Sequence, residues 1–363
     1  MLTYLAVKNF RNHLDFKFNI NNQILVLEGE NGAGKTSLLE AIYFTATTKS
    51  HRTNKDKDLI KEGKEFARIN LKNDKDEFLM VISINGKKAF INNQEVRKLS
   101  SYIGNLNVVL FAPEDLDLIK GSPSIRRNFL DLELVQMSKE YLDHLSNYKN
   151  ILKQRNILLK KIKLNDDFTF LNILGEQLYK FGTQIYDDRN NFINELNKIL
   201  IEVSKEFDDF IIQLKYMPNV SKDNWLNILM KKQQNDINLG QTLFGIHKDD
   251  FDILFNNKSL KDYGSQGMIR LAAILIKLSL LKWLEEKTNK KVLLLLDDVF
   301  SELDLNIQNK FIEMLPKDIQ TIITSAIPLK NKDFQKINLD KRRQDAKWII
   351  KIIIIIQPKI FKY

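Results

Sequence analysis

Cysteine is absent, and the four histidines, His13, His51, His144 and His247, are scattered along 363 residues. Disulfide scaffolds and zinc ribbons are excluded on that ground, and a reducing, cytoplasmic setting fits. Long hydrophobic runs are missing as well. Nothing approaches the roughly 20 apolar residues of a membrane span: Ile349, Ile350 and Ile352 to Ile356 are broken by Lys351 and stopped by Pro358. The opening MLTYLAVKNFRNHLDFKF carries charge by Lys8 and Arg11 and lacks the unbroken apolar stretch of a secretory signal. No internal repeat is visible. What is present is a 44% hydrophobic fraction beside 28% charged residues, enough apolar material for a core and too much for a mainly disordered chain. The length predicts two packed domains or one large domain carrying an insertion.

The formal net charge of +10 points to nucleic acid until it is located. Residues 330–363 hold ten Lys/Arg against three Asp, a surplus of seven, which leaves +3 for everything before them. Bulk charge is therefore a weak argument for DNA binding.

Short apolar runs fill the first 30 positions, and the nearly continuous Ile24 to Leu27 reads as a strand buried on both faces. From Thr36 the pattern turns helical, with Leu38, Leu39, Ile42 and Tyr43 at spacings of three and four. Asn85-Gly86 between two alternating runs predicts a hairpin over Phe78 to Ile91 with a type I′ turn. Val108 to Phe111 is a further buried-strand candidate. Residues 123–206 have no proline after Pro123, almost no glycine and long helical periodicity, which predicts two or three long helices. Strands at Phe210 to Tyr216, Val292 to Leu296 and Thr321 to Ser325, with helices at Met268 to Glu286 and Leu305 to Leu315, imply a mainly parallel sheet.

Three segments carry chemistry. Gly29-Glu30-Asn31-Gly32-Ala33-Gly34-Lys35-Thr36, followed by Ser37, lies between a buried strand and a helix. Glycines let backbone N–H groups wrap phosphate oxygens, the helix N-terminus adds positive dipole, Lys35 reaches the β and γ phosphates, and Thr36 offers a hydroxyl to magnesium. Leu293 to Leu296 then run into Asp297 and Asp298, carboxylates at the end of a buried strand, where α/β folds place ligands. Asp297 is the expected magnesium partner of Thr36, and Asp298, pointing another way, is placed for the attacking water. Tyr263-Gly264-Ser265-Gln266-Gly267 leads into a long helix with Ser265 as N-cap. With the other two motifs it resembles the signature of the ATP-binding-cassette and SMC class, whose Ser and Gly touch the γ-phosphate held by the opposite subunit.

RNH at 11–13, GENGAGKTSLLEAIYF at 29–44, KSHRT at 49–53, FAPEDLDLIKGSPSIRRNFLD at 111–131, GIHKDD at 245–250, YGSQG at 263–267 and LLLDDVFSELD at 294–304 together resemble the RecF family of bacterial recombination-mediator ATPases. The resemblance implies an α/β fold, a P-loop ABC/SMC-type ATPase head with a mixed sheet and an inserted helical second lobe. The head would comprise 1–122 and 207–340, the lobe 123–206, and a basic, Ile-rich tail 341–363. It further implies a slow, magnesium- and DNA-dependent ATPase that dimerises with ATP. Such a protein repairs single-strand gaps and stalled forks with RecR and RecO, placing RecA. Carried over, Gly29 to Ser37 bind the nucleotide, with Lys35 and Asp298 catalytic and Thr36 and Asp297 on magnesium. Ser265 and Gly267 act in trans, Asp304 lies in the segment crossing the dimer interface, and Thr324 stands where cassette transporters have a histidine. Met268 and Ile269 replace two glutamines usual in the family, and the tail from about Lys341 matches nothing in it. Arg52, Lys55, Lys57, Arg126 and Arg127 are candidates for DNA phosphates.

The runner-up is a non-catalytic clamp that binds ATP without turnover. SMC filaments are disfavoured by the missing heptads. Transporter energising is disfavoured by the long separation of Lys35 from Ser265 and by the missing histidine near Thr324.

Overall fold

A computed structural model describes residues 1–163, 166–207, 210–288, 291–299, 311, 313–314, 318–326 and 334–340. The chain divides into two compact units, Met1–Pro113 with Lys291–Tyr363, and Glu114–Lys290.

The first unit holds two sheets. One is antiparallel and contains β1 (Leu2–Phe10), β2 (His13–Asn19), β4 (Phe66–Asn73), β5 (Glu77–Ser83), β6 (Gly86–Ile91) and β7 (Gln94–Val96), in the order β2-β1-β4-β5-β6-β7. The other is parallel and runs β14-β3-β13-β12-β8, built from β3 (Ile24–Glu28), β8 (Asn107–Phe111), β12 (Val292–Asp297), β13 (Thr321–Ser325) and β14 (Gln335–Asn338). Strand β3 lies between β13 and β14, so the first and last thirds of the chain share one sheet. Helix α1 (Lys35–Thr47) touches strands of both sheets and buries 12 of its 13 residues. That is why it carries no clear apolar stripe: a helix covered on opposite sides has no solvent face to make polar. Alternation in the antiparallel sheet turns Ala67, Ile69, Leu71, Phe78, Met80 and Ile82 inward, where they join Leu38, Ile42, Leu295 and Ile322 in one core.

The hairpin β5–β6 forms, with a different turn from the one expected. Ser83 pairs with Gly86, so the loop residues are Ile84 and Asn85. Neither has positive φ; the left-handed geometry falls on Gly86 alone, at φ 130. Type I′ requires positive φ at both loop positions, a condition met instead by Asn92-Asn93 between β6 and β7.

The second unit contains α2 (Pro123–Met137), α3 (Lys139–Leu159), the 37-residue α4 (Thr169–Lys205) and α5 (Gln266–Thr288). An antiparallel sheet β11-β10-β9 joins them, from β9 (Ile212–Met217), β10 (Asp250–Phe255) and β11 (Lys258–Ser259). Of the two or three long helices expected within 123–206, three form, α2 to α4. The contact boundaries fall at 113/114 and 290/291 instead of 122/123 and 206/207. The reason is packing: α5 and β9 lie on α4, and β10 lies on α2, so residues 210–288 share a core with the helices. Its polar centre is Arg189, 1% exposed, which donates to Asp131 Oδ1 at 2.8 Å and to the Ile246 carbonyl at 2.8 Å. The tail 341–363 and most of the helix expected over Leu305 to Leu315 lie outside the described residues.

Candidate functional site

Strand β3 delivers the chain to the glycine-rich turn at the carboxyl end of the parallel sheet. Gly29, Gly32 and Gly34 have φ of 153, 82 and 101, which side chains disfavour. At Gly34 space is closed too: a Cβ there would lie 2.4 Å from His13 Nε2 and 2.8 Å from Asn12 Nδ2. Helix α1 begins at Lys35 with no side-chain cap at Gly34 and no acid in its first turn. Its leading N–H groups therefore lack intrahelical partners, and the positive end of the helix dipole is unopposed, the arrangement that seats an anion. The buried Lys35 ammonium folds back over the turn, donating to Gly29 O at 2.5 Å and Glu30 O at 3.0 Å.

Parallel register brings the next group alongside. Asp297 pairs with Thr324 across β12 and β13. Thr324 Oγ1 donates to Asp297 Oδ1 at 2.7 Å, and Thr36 Oγ1 donates to the same oxygen at 2.9 Å. The Asp298 N–H donates to Thr324 Oγ1 at 2.9 Å, and Asp298 turns out of the strand with φ 51. Burial raises the Asp297 carboxyl above its ordinary range and the Asp298 charge adds to this, against the two threonine bonds. A cation beside it would oppose that shift. A hydroxyl and a carboxylate oxygen 2.9 Å apart fit magnesium, which takes few protein oxygens and completes its shell with phosphates and water. Among the described residues no three His, Cys, Asp or Glu gather to hold a metal by themselves, so the donor set suits an ion that arrives with a nucleotide.

Several supporting residues have no chemical motif of their own. Arg11 donates to both oxygens of Glu40, at 2.6 and 2.8 Å, and Ser50 Oγ donates to Oε1 at 2.5 Å. Burial works to raise the Glu40 carboxyl, and the Arg11 and Ser50 bonds with the Arg11 charge outweigh it, leaving it below its ordinary value. Asn12 Nδ2 donates to Gly32 O at 3.3 Å, and His13 Nε2 lies 3.0 Å from Gly34 O. The RNH segment thus braces the turn that the glycines form. Asp340 is a second brace: its Oδ2 accepts the Glu30 N–H at 2.7 Å and sits 3.1 Å from where a Gly29 Cβ would be. Nothing local in the sequence marks it.

Ser265 and Gly267 belong to the second unit and are exposed. The Met268 N–H reaches Ser265 Oγ at 3.3 Å, the expected N-cap contact, and no atom lies within 4 Å of a Cβ built on Gly267. Ile269 is buried and Met268 half-buried, so the substitution for glutamine at 269 faces the interior. Arg126 is no surface cation, because both carboxylate oxygens of Asp250 take it, at 2.6 and 2.9 Å, and it is buried. Arg52 is 42% exposed and stands 4.0 Å from Glu40 Oε2. Asp304 lies outside the described residues.

The family model of the RecF/RecN/SMC N terminal domain matches residues 1–340. A DNA replication and repair protein RecF from Acholeplasma laidlawii is 52% identical over 342 residues, 94% of this chain and 98% of that protein. Another from Lactobacillus johnsonii is 40% identical over 345 residues, 89% and 92% of the two chains. Among solved structures, the recombination mediator protein RecF-ATP in the RecFOR pathway superposes with a TM-score of 0.87 at 31% identity, covering 93% of this chain and 95% of that one. An SMC head bound to the C-winged helix domain of ScpA gives 0.51 at 13% identity over 90% and 89%, a likeness of fold.

Proposed function

Because this chain belongs to the RecF family, we propose that it is a slow, magnesium-dependent ATPase whose ATP-bound dimer holds DNA. Acting in the cytoplasm, it serves recombinational repair of single-strand gaps and stalled replication forks, with RecO and RecR and, through them, RecA. The observation that carries the catalytic part is the single hydrogen-bonded chain Thr36–Asp297–Thr324–Asp298 beside an uncapped helix start. ATP would lie along Gly29 to Ser37, its phosphates on the N–H groups at the start of α1. Lys35 exchanges its bonds to Gly29 O and Glu30 O for phosphate oxygens. Thr36 and Asp297 would hold magnesium, which when bound supplies charge to offset the phosphates. Asp298 orients the attacking water, its backbone fixed by Thr324. Its side chain is one carbon shorter than the Glu common in this class, which suits a switch better than a motor.

Ser265 and Gly267, exposed at the head of α5, are available to the γ-phosphate bound by a second copy. The buried Ile269 leaves that surface unobstructed. Contact with DNA runs through phosphates; neutralising about six predicts a log–log salt slope near −5.

Sedimentation of Asp298→Asn with and without magnesium-ATP tests the reading. ATP-dependent dimers, with wild-type turnover on duplex DNA above a Lys35→Ala control, are the expected result. A monomer under both conditions with ATP binding confirmed overturns the trans arrangement. Absence of turnover leaves the non-catalytic clamp in its place.

A further inference from the structure

The second unit holds a cavity of about 260 Å³ between the first turns of α2 and the middle of α3. Ser124, Arg127 and Asn128 share one face of α2, at spacings of three and four; Leu145, Tyr148, Lys149 and Leu152 share the facing stripe of α3. The floor is Asp131, Arg189, Ile246 and His247. Three cations and one carboxylate therefore line it. His247 adds no charge, since burial pushes it down to about 4, and it bonds Tyr148 Oη at 2.7 Å and Thr242 O at 3.0 Å.

The acids beneath are already satisfied from inside. Asp131 Oδ1 accepts from Arg189 and Tyr141, and its Oδ2 from Lys149 at 3.1 Å. Asp249 accepts from Asn219 N, Tyr216 and Arg189. Arg127 reaches the Asp249 backbone carbonyl at 2.7 Å, not its carboxylate. Most of the Arg127 guanidinium donors and two of the Lys149 ammonium donors remain for something else. Burial and the nearby Arg189 both weigh against the Arg127 charge, a cost an anion would relieve.

We propose that this cavity seats one phosphate of a nucleic-acid backbone, held by Arg127 and Lys149 with Ser124 and Asn128 as neutral donors. The volume is below the roughly 300 Å³ at which pockets begin to enclose whole small ligands, so it suits one group of a larger molecule. Arg, Lys, Ser and Asn side chains near a helix start are the groups that position DNA phosphates, and Leu145 and Leu152 offer an apolar wall to the sugar. The inference rests on the DNA-binding reading above and gives it a location, replacing the buried Arg126 with Lys149.

Fluorescence anisotropy of a labelled duplex across a salt series tests it on the full chain. The pair Arg127→Gln with Lys149→Gln should bind about tenfold more weakly, with a salt slope shallower by about 1, the loss of one phosphate contact. Asn128→Asp, which breaks no bond present in the fold, should weaken binding in the same direction. ATP binding without DNA should not change in either variant. Wild-type binding with both variants indistinguishable from it overturns the inference and spares the DNA reading. No wild-type binding at low salt overturns that reading. Equal displacement of the duplex by inorganic phosphate at constant ionic strength, or by polyglutamate, would make the cavity a free-anion or acidic-peptide site and overturn the backbone assignment.

Discussion

Glu133 on α2 is buried, and the Gln136 amide donates to its Oε2 at 3.0 Å. The cation that acts on it, Lys277, is paired with Asp115 at 2.8 Å. Burial therefore prevails and raises the Glu133 carboxyl from 4.5 to about 7, with Asp115 adding and Lys277 and Gln136 opposing. Because the folded value lies above the unfolded one, the native state holds this proton more tightly. The stabilisation is complete below about pH 4.5 and lost as pH rises to about 7, a total of about 3 kcal/mol. Glu133→Gln keeps the size and the acceptor and removes the ionisation. Its stability minus that of the wild type should grow by about 3 kcal/mol between pH 4.5 and 8, then stay level. Urea unfolding followed by the fluorescence of Trp225 and Trp283, both buried in the same unit, measures that difference. Every other titration is common to the two proteins and cancels. A difference independent of pH refutes the reasoning. A difference that falls with pH would mean that Glu133 is an ion-pair partner of Lys277, with its charge stabilised.

Other expectations are sharper at the nucleotide turn. Gly34→Ala should weaken ATP binding at least about tenfold by calorimetry, and His13→Ala should restore it only in part, because the strain of positive φ, about 1 kcal/mol, stays. Asp340→Ala should weaken ATP binding about fivefold, the worth of one hydrogen bond to the turn, while Asp340→Asn keeps an acceptor and most of the affinity. Arg155 and Asp236, each 1% exposed and joined at 2.7 Å, form a buried pair to which Thr242 Oγ1 and the Leu243 N–H add one hydrogen bond each. Arg155→Met should cost about 3–5 kcal/mol in urea unfolding, and adding Asp236→Asn should recover much of it by removing the stranded charge.

Much of this fold is legible in the sequence because its signals are local. A buried strand, a glycine turn and a helix occupy 24 consecutive residues from Ile24 to Thr47, and each is read from its neighbours. The same holds for β12 ending in Asp297 and for β13, whose bounds match the apolar run Thr321 to Ser325. Turn chemistry fails where residue type and register compete: Asn85-Gly86 reads as a two-residue loop, yet pairing of Ser83 with Gly86 moves the loop back by one.

Side-chain partnerships are invisible for the opposite reason, that the partners are far along the chain. Asp340 meets Glu30 across 310 positions, Arg126 meets Asp250 across 124, and Thr324 reaches Asp297 only because parallel β12 and β13 stand in register. No periodicity encodes such a pairing; it exists only once the sheet has closed. Sequence motifs therefore mark the groups suited to touch phosphate and metal, while the groups that fix their geometry come from topology. Thr324 shows how the two meet. Its position was marked by resemblance as the place of a missing histidine, yet the hydroxyl there ties Asp297 to the Asp298 backbone, a role imidazole would fill with different reach. The adjacent pair Arg126-Arg127 divides in the same way: one guanidinium is consumed by the fold, and its neighbour lines a cavity with donors to spare.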